Sequence, residues 1–187
     1  MKNISVIGLG SMGFGIAQSL IRSGYNVYGQ DKNTVQQKKL IEEGGLDAEI
    51  PFGDLDAVII VVLNEAQTRD IIFGEEGIAD KLKKHTLVIV CTTVSPNFAK
   101  EMATACENKE LLYLDAPISG GSIKSSQGKL SYMVSGSKNA LIAAKPILDS
   151  TSETVFEFGE VVGSGSAMKA VNQMLAGVHI AAMAEAI

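Results

Sequence analysis

Residues 6–13 read Val6-Ile7-Gly8-Leu9-Gly10-Ser11-Met12-Gly13, and this stretch decides the fold. A β-branched run leads into its G-x-G-x-x-G pattern, and a helix-like segment follows it. A dinucleotide pyrophosphate needs that order: the first glycine permits a tight turn, the second lets the backbone approach the phosphates, and the third lets the helix pack on the strand. The stretch therefore predicts a dinucleotide-binding loop formed by Gly8, Leu9, Gly10, Ser11, Met12 and Gly13.

The same segment has a competing interpretation as a targeting or membrane segment. Lys2 is followed by an apolar stretch that extends to Ile21. Four glycines interrupt that stretch and would make it a poor insertion helix, and no A-x-A-like cleavage site follows it. The context of strand, loop and helix favours the dinucleotide loop, so we predict no membrane association.

An acidic residue follows the second apolar run. Asp31 lies 18 residues after Gly13, near where a carboxylate would accept hydrogen bonds from the adenosine ribose hydroxyls. Because a carboxylate repels a 2′-phosphate, Asp31 favours NAD as the cofactor. Lys32 beside it would partly offset that repulsion, so NADP stays open.

Composition excludes several classes of function. The 187 residues are 46% apolar and 20% charged, with a net charge of −5, and no cluster of lysines or arginines forms a stripe that could neutralise phosphates. We therefore expect no nucleic-acid partner. Cys91 and Cys106 lack C-x-x-C partners, which predicts a cytoplasmic protein without a disulfide framework. No Cys, His or Asp grouping has metal-ligand spacing, so we expect no metal.

Apolar runs alternate with helix-like segments along the chain. Strands are predicted at Ile4–Ile7, Asn26–Gly29, Ala57–Leu63, Leu87–Cys91, Leu111–Asp115, Leu130–Val134 and Val155–Phe158, and helices near 12–22, 34–43, 65–72, 95–106 and 137–149. Continuously apolar strands rich in Val and Ile are typical of parallel sheets covered on both faces. The pattern predicts an α/β fold: a Rossmann-type, doubly wound, mainly parallel sheet over residues 1–163.

The terminal segment, 164–187, differs from the rest. From Ala167 to Ile187 it has no proline and only two charges, which predicts a long apolar helix of the kind normally enclosed by protein. It has neither a C-cap glycine nor a basic last turn. We expect it to be the first part of an interdomain helix whose C-terminal all-helical domain is absent, and to form a homo-oligomer by covering its apolar surface.

Two groups of residues could carry chemistry, one after a predicted strand and one on the terminal helix. A hydroxyl and unobstructed N–H groups are exposed by Ser119, Gly120 and Gly121, and together they form a concavity suited to a carboxylate. The same residues would also be typical of an ordinary turn followed by the start of a helix. On the terminal helix, Asn172 and Gln173 lie within about 60° of the direction of Lys169. Enclosure of an amine flanked by amides would lower its pKa toward a range useful for proton transfer, whereas an isolated helical lysine is usually a solvated surface residue.

Four motifs taken together resemble the β-hydroxyacid dehydrogenase family, which includes 3-hydroxyisobutyrate dehydrogenase, tartronate semialdehyde reductase and L-threonate dehydrogenase. The matching segments are Gly8–Gly13, Thr92-Thr-Val-Ser-Pro96, Asp115-Ala-Pro-Ile-Ser-Gly-Gly121 and Gly163-Ser-Gly-Ser-Ala-Met-Lys169-Ala-Val-Asn172-Gln173. Many members carry Asn-Asn where this chain has Asn172-Gln173. The run from Asn172 to Ile180 is most similar to the L-threonate dehydrogenase branch.

The resemblance implies roles for these residues. The glycine loop, Asp31 and Lys32 would hold the dinucleotide, with Leu63, Asn64 and Thr93 near its nicotinamide half. The substrate, a small hydroxyacid, would bind Ser119, Gly120, Gly121, Asn172 and Gln173. Lys169 would serve as general acid/base while a hydride passes between the nicotinamide and the hydroxyl carbon.

Two other functions stay open. The chain could be a cofactor-binding or interaction module without activity of its own, because a site without the helical domain would leave Lys169 in water. Imine reduction by a related family is disfavoured, because those enzymes usually lack the lysine that stands at 169.

Overall fold

The computed structural model describes residues 2–47 and 49–187. The strands are β1 Asn3–Ile7, β2 Asn26–Gln30, β3 Ala57–Ile60, β4 Leu87–Val90, β5 Leu112–Asp115, β6 Ile118–Ser119, β7 Leu130–Gly136 and β8 Ser152–Glu157. The α-helices are α1 Gly13–Arg22, α2 Thr34–Glu42, α3 Glu65–Phe73, α4 Pro96–Glu107, α5 Gly121–Ser126, α6 Lys138–Thr151 and α7 Ser164–Glu185. Two short 3₁₀ turns, Phe52–Asp54 and Ala79–Lys81, lie in the connections that flank β3 and α3.

The sheet has the strand order β2-β1-β3-β4-β5-β7-β6, and β8 pairs with β7. The first five strands are mutually parallel, whereas β7 runs antiparallel to β5 and β6. This is the Rossmann-type, mainly parallel architecture predicted from the sequence, and the prediction is confirmed. The carboxyl ends of β1 to β5 therefore meet along one edge, where the loops that follow them lie side by side.

Alternating residues of the central strands build two cores. Ala57 and Ile59 of β3 face the core under α1 and α6, whereas Val58 and Ile60 face the core under α3 and α4. All four residues of β3 are buried, as are all four of β4. Because both faces are covered, these strands read as continuous apolar runs instead of an alternating pattern.

Two parts of the fold differ from the prediction. β3 ends at Ile60 and not at Leu63. Val61 N–H still donates to the Ile7 carbonyl, but the next two N–H groups bond to side chains: Val62 donates to Thr92 Oγ1 at 3.3 Å, and Leu63 donates to Gln67 Oε1 at 3.0 Å. The short elements β6 and α5 were not predicted. The two elements flank Gly120, whose φ is 134°. β6 ends at Ser119, and α5 begins at Gly121.

Helix α7 begins at Ser164, the first residue of the terminal segment 164–187, and changes character along its length. Gly165, Ser166 and Lys169 are buried, and most side chains after them are exposed. Over residues 2–47 and 49–187, the structure contains no helix with the length and apolar content needed to cross a bilayer. The division of the chain at residue 163 stays a prediction.

Candidate active site

The three glycines of the opening loop meet different surroundings. Gly8 has φ of 95°, and a Cβ built on it would lie 2.1 Å from the carbonyl oxygen of Val61. A Cβ on Gly13 would lie 1.8 Å from the carbonyl oxygen of Gly8. A Cβ on Gly10 would have no heavy atom within 4 Å. The chain itself therefore requires glycine at positions 8 and 13, whereas position 10 is open on the outer face of the loop.

The loop presents unpaired donors at the start of α1. Within residues 2–47 and 49–187, the backbone N–H groups of Gly10, Ser11, Met12 and Gly13 have no hydrogen-bond acceptor. The first N–H groups of a helix carry the positive end of its dipole and bind anions. These four donors and the open face at Gly10 fit a pyrophosphate. The residues present therefore fit a dinucleotide cofactor.

Asp31 stands directly after β2 and is tied to the glycine loop. Its carboxylate accepts a hydrogen bond from Leu9 N–H at 2.6 Å and another from Asn33 N–H at 2.8 Å. Each carboxylate oxygen has a further lone pair, so these contacts leave acceptor capacity for a ligand hydroxyl. Lys32 beside it is exposed.

Two cavities adjoin the loop and share Gly10 and Asp31. One has a volume of about 500 Å³, and polar side chains from α1, α2 and α5 line much of it. The other has a volume of about 460 Å³ and includes Val62, Leu63 and Ile71 in its wall. An elongated ligand with an apolar ring at one end and polar groups beyond it matches this pair of cavities.

The loops that follow β3 and β4 are linked to each other. Besides the contact between Val62 and Thr92, Glu65 accepts a hydrogen bond from Ser95 N–H at 2.6 Å. The Asn64 side chain accepts from Gln67 N–H at 2.9 Å and so caps α3. Leu63 and Thr93, the other residues predicted to lie near the nicotinamide, are exposed at the same edge of the sheet.

The predicted carboxylate loop follows β5 at that edge. Ser119 ends β6, and Gly120 and Gly121 have φ of 134° and 76°, values in the region that favours glycine. Ser125 of α5 donates a hydrogen bond from its hydroxyl to the Met12 carbonyl at 2.5 Å. The structure thus joins the carboxylate loop to the dinucleotide loop, a contact that was not predicted.

Lys169 is 6% exposed. Within residues 2–47 and 49–187, no group forms a hydrogen bond or an ion pair with its ammonium. Burial lowers the pKa of Lys169, because a charged amine loses solvation there. Asn172 is half-buried, whereas Gln173 is exposed. Because no acidic partner among the described residues holds the charged form, burial makes the neutral, proton-accepting form of this amine more accessible than it is in water.

A buried polar cluster, which was not predicted from the sequence, holds the start of α7. Asp115 is fully buried and accepts hydrogen bonds from Ser135, Gly163 and Ser166. Burial raises the pKa of Asp115, while these hydrogen bonds act in the opposite direction. The one signal in the sequence was an acidic residue at the end of an otherwise apolar strand.

Both thiols are buried. Burial raises the pKa of Cys91 well above its usual range, with a further contribution from the charge of Asp115. Burial, together with the charge of Glu107, raises the pKa of Cys106 to about 12. Over the described residues 2–47 and 49–187, no group of three His, Cys, Asp or Glu side chains could hold a metal ion.

The parallel sheet, the glycine loop and the carboxylate after β2 define a nicotinamide-dinucleotide-binding domain. The chain belongs to the family described as the NAD binding domain of 6-phosphogluconate dehydrogenase, whose model matches residues 3–159. The predicted cofactor, NAD, is confirmed by this membership.

Similar proteins include named dehydrogenases. The chain is 45% identical over 190 residues to an L-threonate dehydrogenase of Haemophilus influenzae, covering 99% of this chain and 63% of the relative. It is 44% identical to an L-threonate dehydrogenase of Pectobacterium atrosepticum, covering 98% of this chain and 62% of the relative. These matches confirm the predicted resemblance to the β-hydroxyacid dehydrogenases.

A solved structure has the same fold. The crystal structure of a 3-hydroxyisobutyrate dehydrogenase from Salmonella typhimurium is 40% identical and superposes with a TM-score of 0.94, covering 100% of this chain and 66% of that one. The chain thus spans less than two thirds of the length of each of these three proteins.

Proposed function

We propose that this chain is the cofactor-binding part of an NAD-dependent hydroxyacid dehydrogenase, with Lys169 as its general acid/base. The observation that carries the proposal is the burial of the Lys169 amine on a helix that starts against the carboxyl end of β5. The dinucleotide loop follows β1 and the carboxylate loop follows β5 at the same edge. Cofactor, substrate and proton-transfer groups would therefore be neighbours.

Each group of residues has a distinct task in this proposal. When bound, the nicotinamide supplies the hydride acceptor for oxidation or the hydride donor for reduction. The N–H groups of residues 10–13 hold the pyrophosphate, and the Ser119 hydroxyl with the Gly120 and Gly121 N–H groups holds the substrate carboxylate. Orientation of the hydroxyl carbon by these fixed donors supplies much of the rate enhancement.

Lys169 removes or returns the proton of the reacting hydroxyl. Because burial lowers the pKa of its amine, a larger fraction is neutral at physiological pH and can accept a proton. Asn172 lies one turn further along α7 and is half-buried, which suits a side chain that orients the substrate. Gln173 is exposed, so its predicted contact with substrate rests on the motif alone.

Substitution of Lys169 tests this function. We expect Lys169→Ala to reduce turnover of the complete enzyme to a small residual rate while NAD affinity stays nearly unchanged, because α7 packs mainly on β7, α4 and β5, whereas the dinucleotide loop joins β1 to α1. Lys138→Ala, which removes an exposed amine at the start of α6, is the matched control and should retain full turnover. Undiminished turnover of the Lys169 variant would reject the assignment.

The substrate is proposed to be a four-carbon sugar acid of the L-threonate type. The identities of 45% and 44% to L-threonate dehydrogenases support it, while the 40% identical Salmonella protein carries the name 3-hydroxyisobutyrate dehydrogenase. A screen of the complete enzyme against threonate, 3-hydroxyisobutyrate and glycerate, each with NAD and NADP, separates these substrates. A higher kcat/KM for 3-hydroxyisobutyrate than for threonate would overturn this choice.

A second candidate function is a cofactor-binding module without activity of its own. The exposure of α7 after Lys169 favours it, because the proposed site is open on that side. The burial of Lys169 within this chain argues against it, since that burial already lowers the pKa of the amine. A turnover assay of the 187-residue chain on hydroxyacids decides between them: measurable turnover rejects the module, and NAD binding without turnover supports it.

We further propose a homo-oligomer formed through α7. Met174, Val178 and Ile180 are exposed on this helix, and an apolar surface of that kind is covered when two copies associate. Light scattering at high concentration should give a mass above that of one chain, and Val178→Glu with Ile180→Glu should lower it. A monomer at every concentration would contradict the proposal.

A further inference from the structure

The Asp115 carboxylate accepts hydrogen bonds from β7 and from the start of α7. It accepts from Ser166 N–H at 2.9 Å, from the Ser166 hydroxyl at 2.6 Å, from Gly163 N–H at 3.2 Å and from the Ser135 hydroxyl at 3.0 Å. An ionised carboxylate is an acceptor with about four lone-pair sites. Three of these donors bond to Oδ2, and the Ser166 hydroxyl bonds to Oδ1. Two of the donors are backbone N–H groups at the start of α7, where a negative charge is favourable.

Close packing holds the same turn from two further sides. Gly163 has φ of 94°, and a Cβ on it would lie 2.7 Å from the Pro96 carbonyl oxygen. A Cβ on Gly165 would lie 2.3 Å from the Met133 carbonyl oxygen. The first turn of α7 is therefore fixed between α4, β7 and the end of β5, with no free space on those sides.

Little else in the chain restrains α7. Beyond Lys169, all side chains from residue 170 onward are exposed except Asn172, which is half-buried. Lys169 follows Ser166 by three residues, which is slightly less than one turn. The position of its amine is thus determined mainly by the contacts of the first turn.

We propose that Asp115 is a positioning residue for Lys169: by binding Gly163 and Ser166 it sets the axial position and rotation of α7, and hence where the lysine amine stands. This inference rests on the proposed function for its catalytic consequence. Asp115 also ends the strand that leads, four residues later, to Ser119. One carboxylate therefore fixes the proton-transfer helix relative to the carboxylate loop.

We infer that Asp115 acts on Lys169 by fixing the position of α7 and not by forming an ion pair with the lysine. Over residues 2–47 and 49–187, no ion pair includes the Lys169 ammonium. If Asp115 were purely structural, its replacement would lower the stability of the chain without a specific effect on the lysine. A positioning carboxylate must change a property of the Lys169 amine itself.

The first test measures that amine directly in this chain. We expect Asp115→Asn to raise the pKa of Lys169 toward its ordinary value. An amide cannot satisfy all four donors, so the helix would be displaced and the amine exposed. NMR of the ε-labelled lysine measures this pKa. Asp149→Asn, which removes an exposed carboxylate on α6, should leave the pKa unchanged. An unchanged or lower Lys169 pKa in the Asp115 variant would overturn the inference.

The second test is a double-mutant cycle in the complete enzyme. Asp115→Asn should reduce kcat on the order of 100-fold, the size of effect expected from a displacement of about 1 Å, and should change the KM for NAD little. In the Lys169→Ala background, Asp115→Asn should reduce the residual kcat little further, because its effect on kcat acts through the lysine. Equal costs in both backgrounds would contradict positioning.

A milder variant keeps the test decisive if Asp115→Asn does not fold. Ser166→Ala removes one of the four donors and keeps the carboxylate, so we expect a loss in kcat of roughly 3- to 10-fold and a smaller rise of the Lys169 pKa. No change in either quantity would count against the inference. Full turnover by Lys169→Ala would instead reject the proposed function, and the NMR measurement would still decide whether Asp115 positions the amine.

Discussion

The Ser125 hydroxyl donates a hydrogen bond to the Met12 carbonyl oxygen at 2.5 Å, across 113 residues of sequence. The Ser125 carbonyl in turn accepts a hydrogen bond from the Ser19 hydroxyl at 3.2 Å. Gly15 lies between these contacts, and a Cβ on it would lie 2.5 Å from both the Ser125 hydroxyl and the Ser126 nitrogen. Helix α5 therefore packs directly on the backbone of α1, at the glycine loop.

We predict that Gly15→Ala destabilises the chain by roughly 1–3 kcal/mol, the usual cost of overpacking. The added methyl group would push α5 away from α1, and urea denaturation measures the loss. Gly177→Ala, in the exposed part of α7, has open space around its Cβ and should not destabilise. Ser125→Ala should not rescue Gly15→Ala, because the Ser126 backbone would still clash; full rescue would show that only the hydroxyl limits the packing.

The glycine loop provides a second prediction that separates ligand binding from folding. Gly10→Ala should leave the free energy of unfolding nearly unchanged, since no atom lies within 4 Å of its Cβ, but it should weaken NAD binding by blocking the approach of the pyrophosphate. Gly13→Ala should destabilise the chain itself. Titration calorimetry with NAD and thermal unfolding measure the two effects. Equal NAD affinity in the parent and the Gly10 variant would contradict the assignment.

Asp31 should govern the choice between NAD and NADP. Replacement by Ser removes the charge that repels a 2′-phosphate and weakens the acceptor for the ribose hydroxyls, so the affinity ratio of NAD to NADP should fall by about tenfold or more. Binding titrations with both cofactors measure it. Asp54→Ser, at the opposite edge of the sheet, is the control. An unchanged ratio would assign cofactor choice to other residues.

Burial of Lys169 predicts an unusual stability profile. Its pKa is lowered in the folded chain, so the unfolded chain binds more protons between that lowered value and the ordinary value of about 10.4. This group therefore makes the parent more stable as pH rises through that window. Lys169→Met should be more stable than the parent at pH 7, and the difference should shrink toward pH 10.

Urea denaturation at several pH values measures this difference in the free energy of unfolding. Lys138→Met replaces an exposed lysine and should show neither the gain in stability nor its dependence on pH. A Lys169 variant less stable than the parent at pH 7 would mean that the ammonium has stabilising partners.

The central sheet could be predicted because its signals are local. The buried strands β3 and β4 are short Val- and Ile-rich runs, and each is bounded by polar residues that begin a loop. Ser95 followed by Pro96 marked the start of α4, and the structure has that cap, with Phe98 N–H donating to the Ser95 hydroxyl at 3.3 Å. Such contacts span only a few residues and leave a pattern in the sequence.

The unpredicted features depend on contacts between distant residues. Asp115 meets partners 20, 48 and 51 positions away, and nothing local distinguishes it from an acidic residue that ends a strand. Helix α5 is six residues long and polar, without the apolar periodicity that identifies longer helices. Its position depends on Gly15, which reads in sequence as a weak helix former inside α1.

Helix α7 behaves geometrically as a rod that is fixed at one end. Its 22 residues extend about 33 Å at 1.5 Å per residue, and Lys169 lies within about 8 Å of its first residue. A tilt of about 3° about that first residue would move the far end by about 2 Å but the Lys169 backbone by only about 0.4 Å. Whatever binds along the exposed part of the rod can thus shift by about 2 Å while the lysine stays nearly in register with the end of β5.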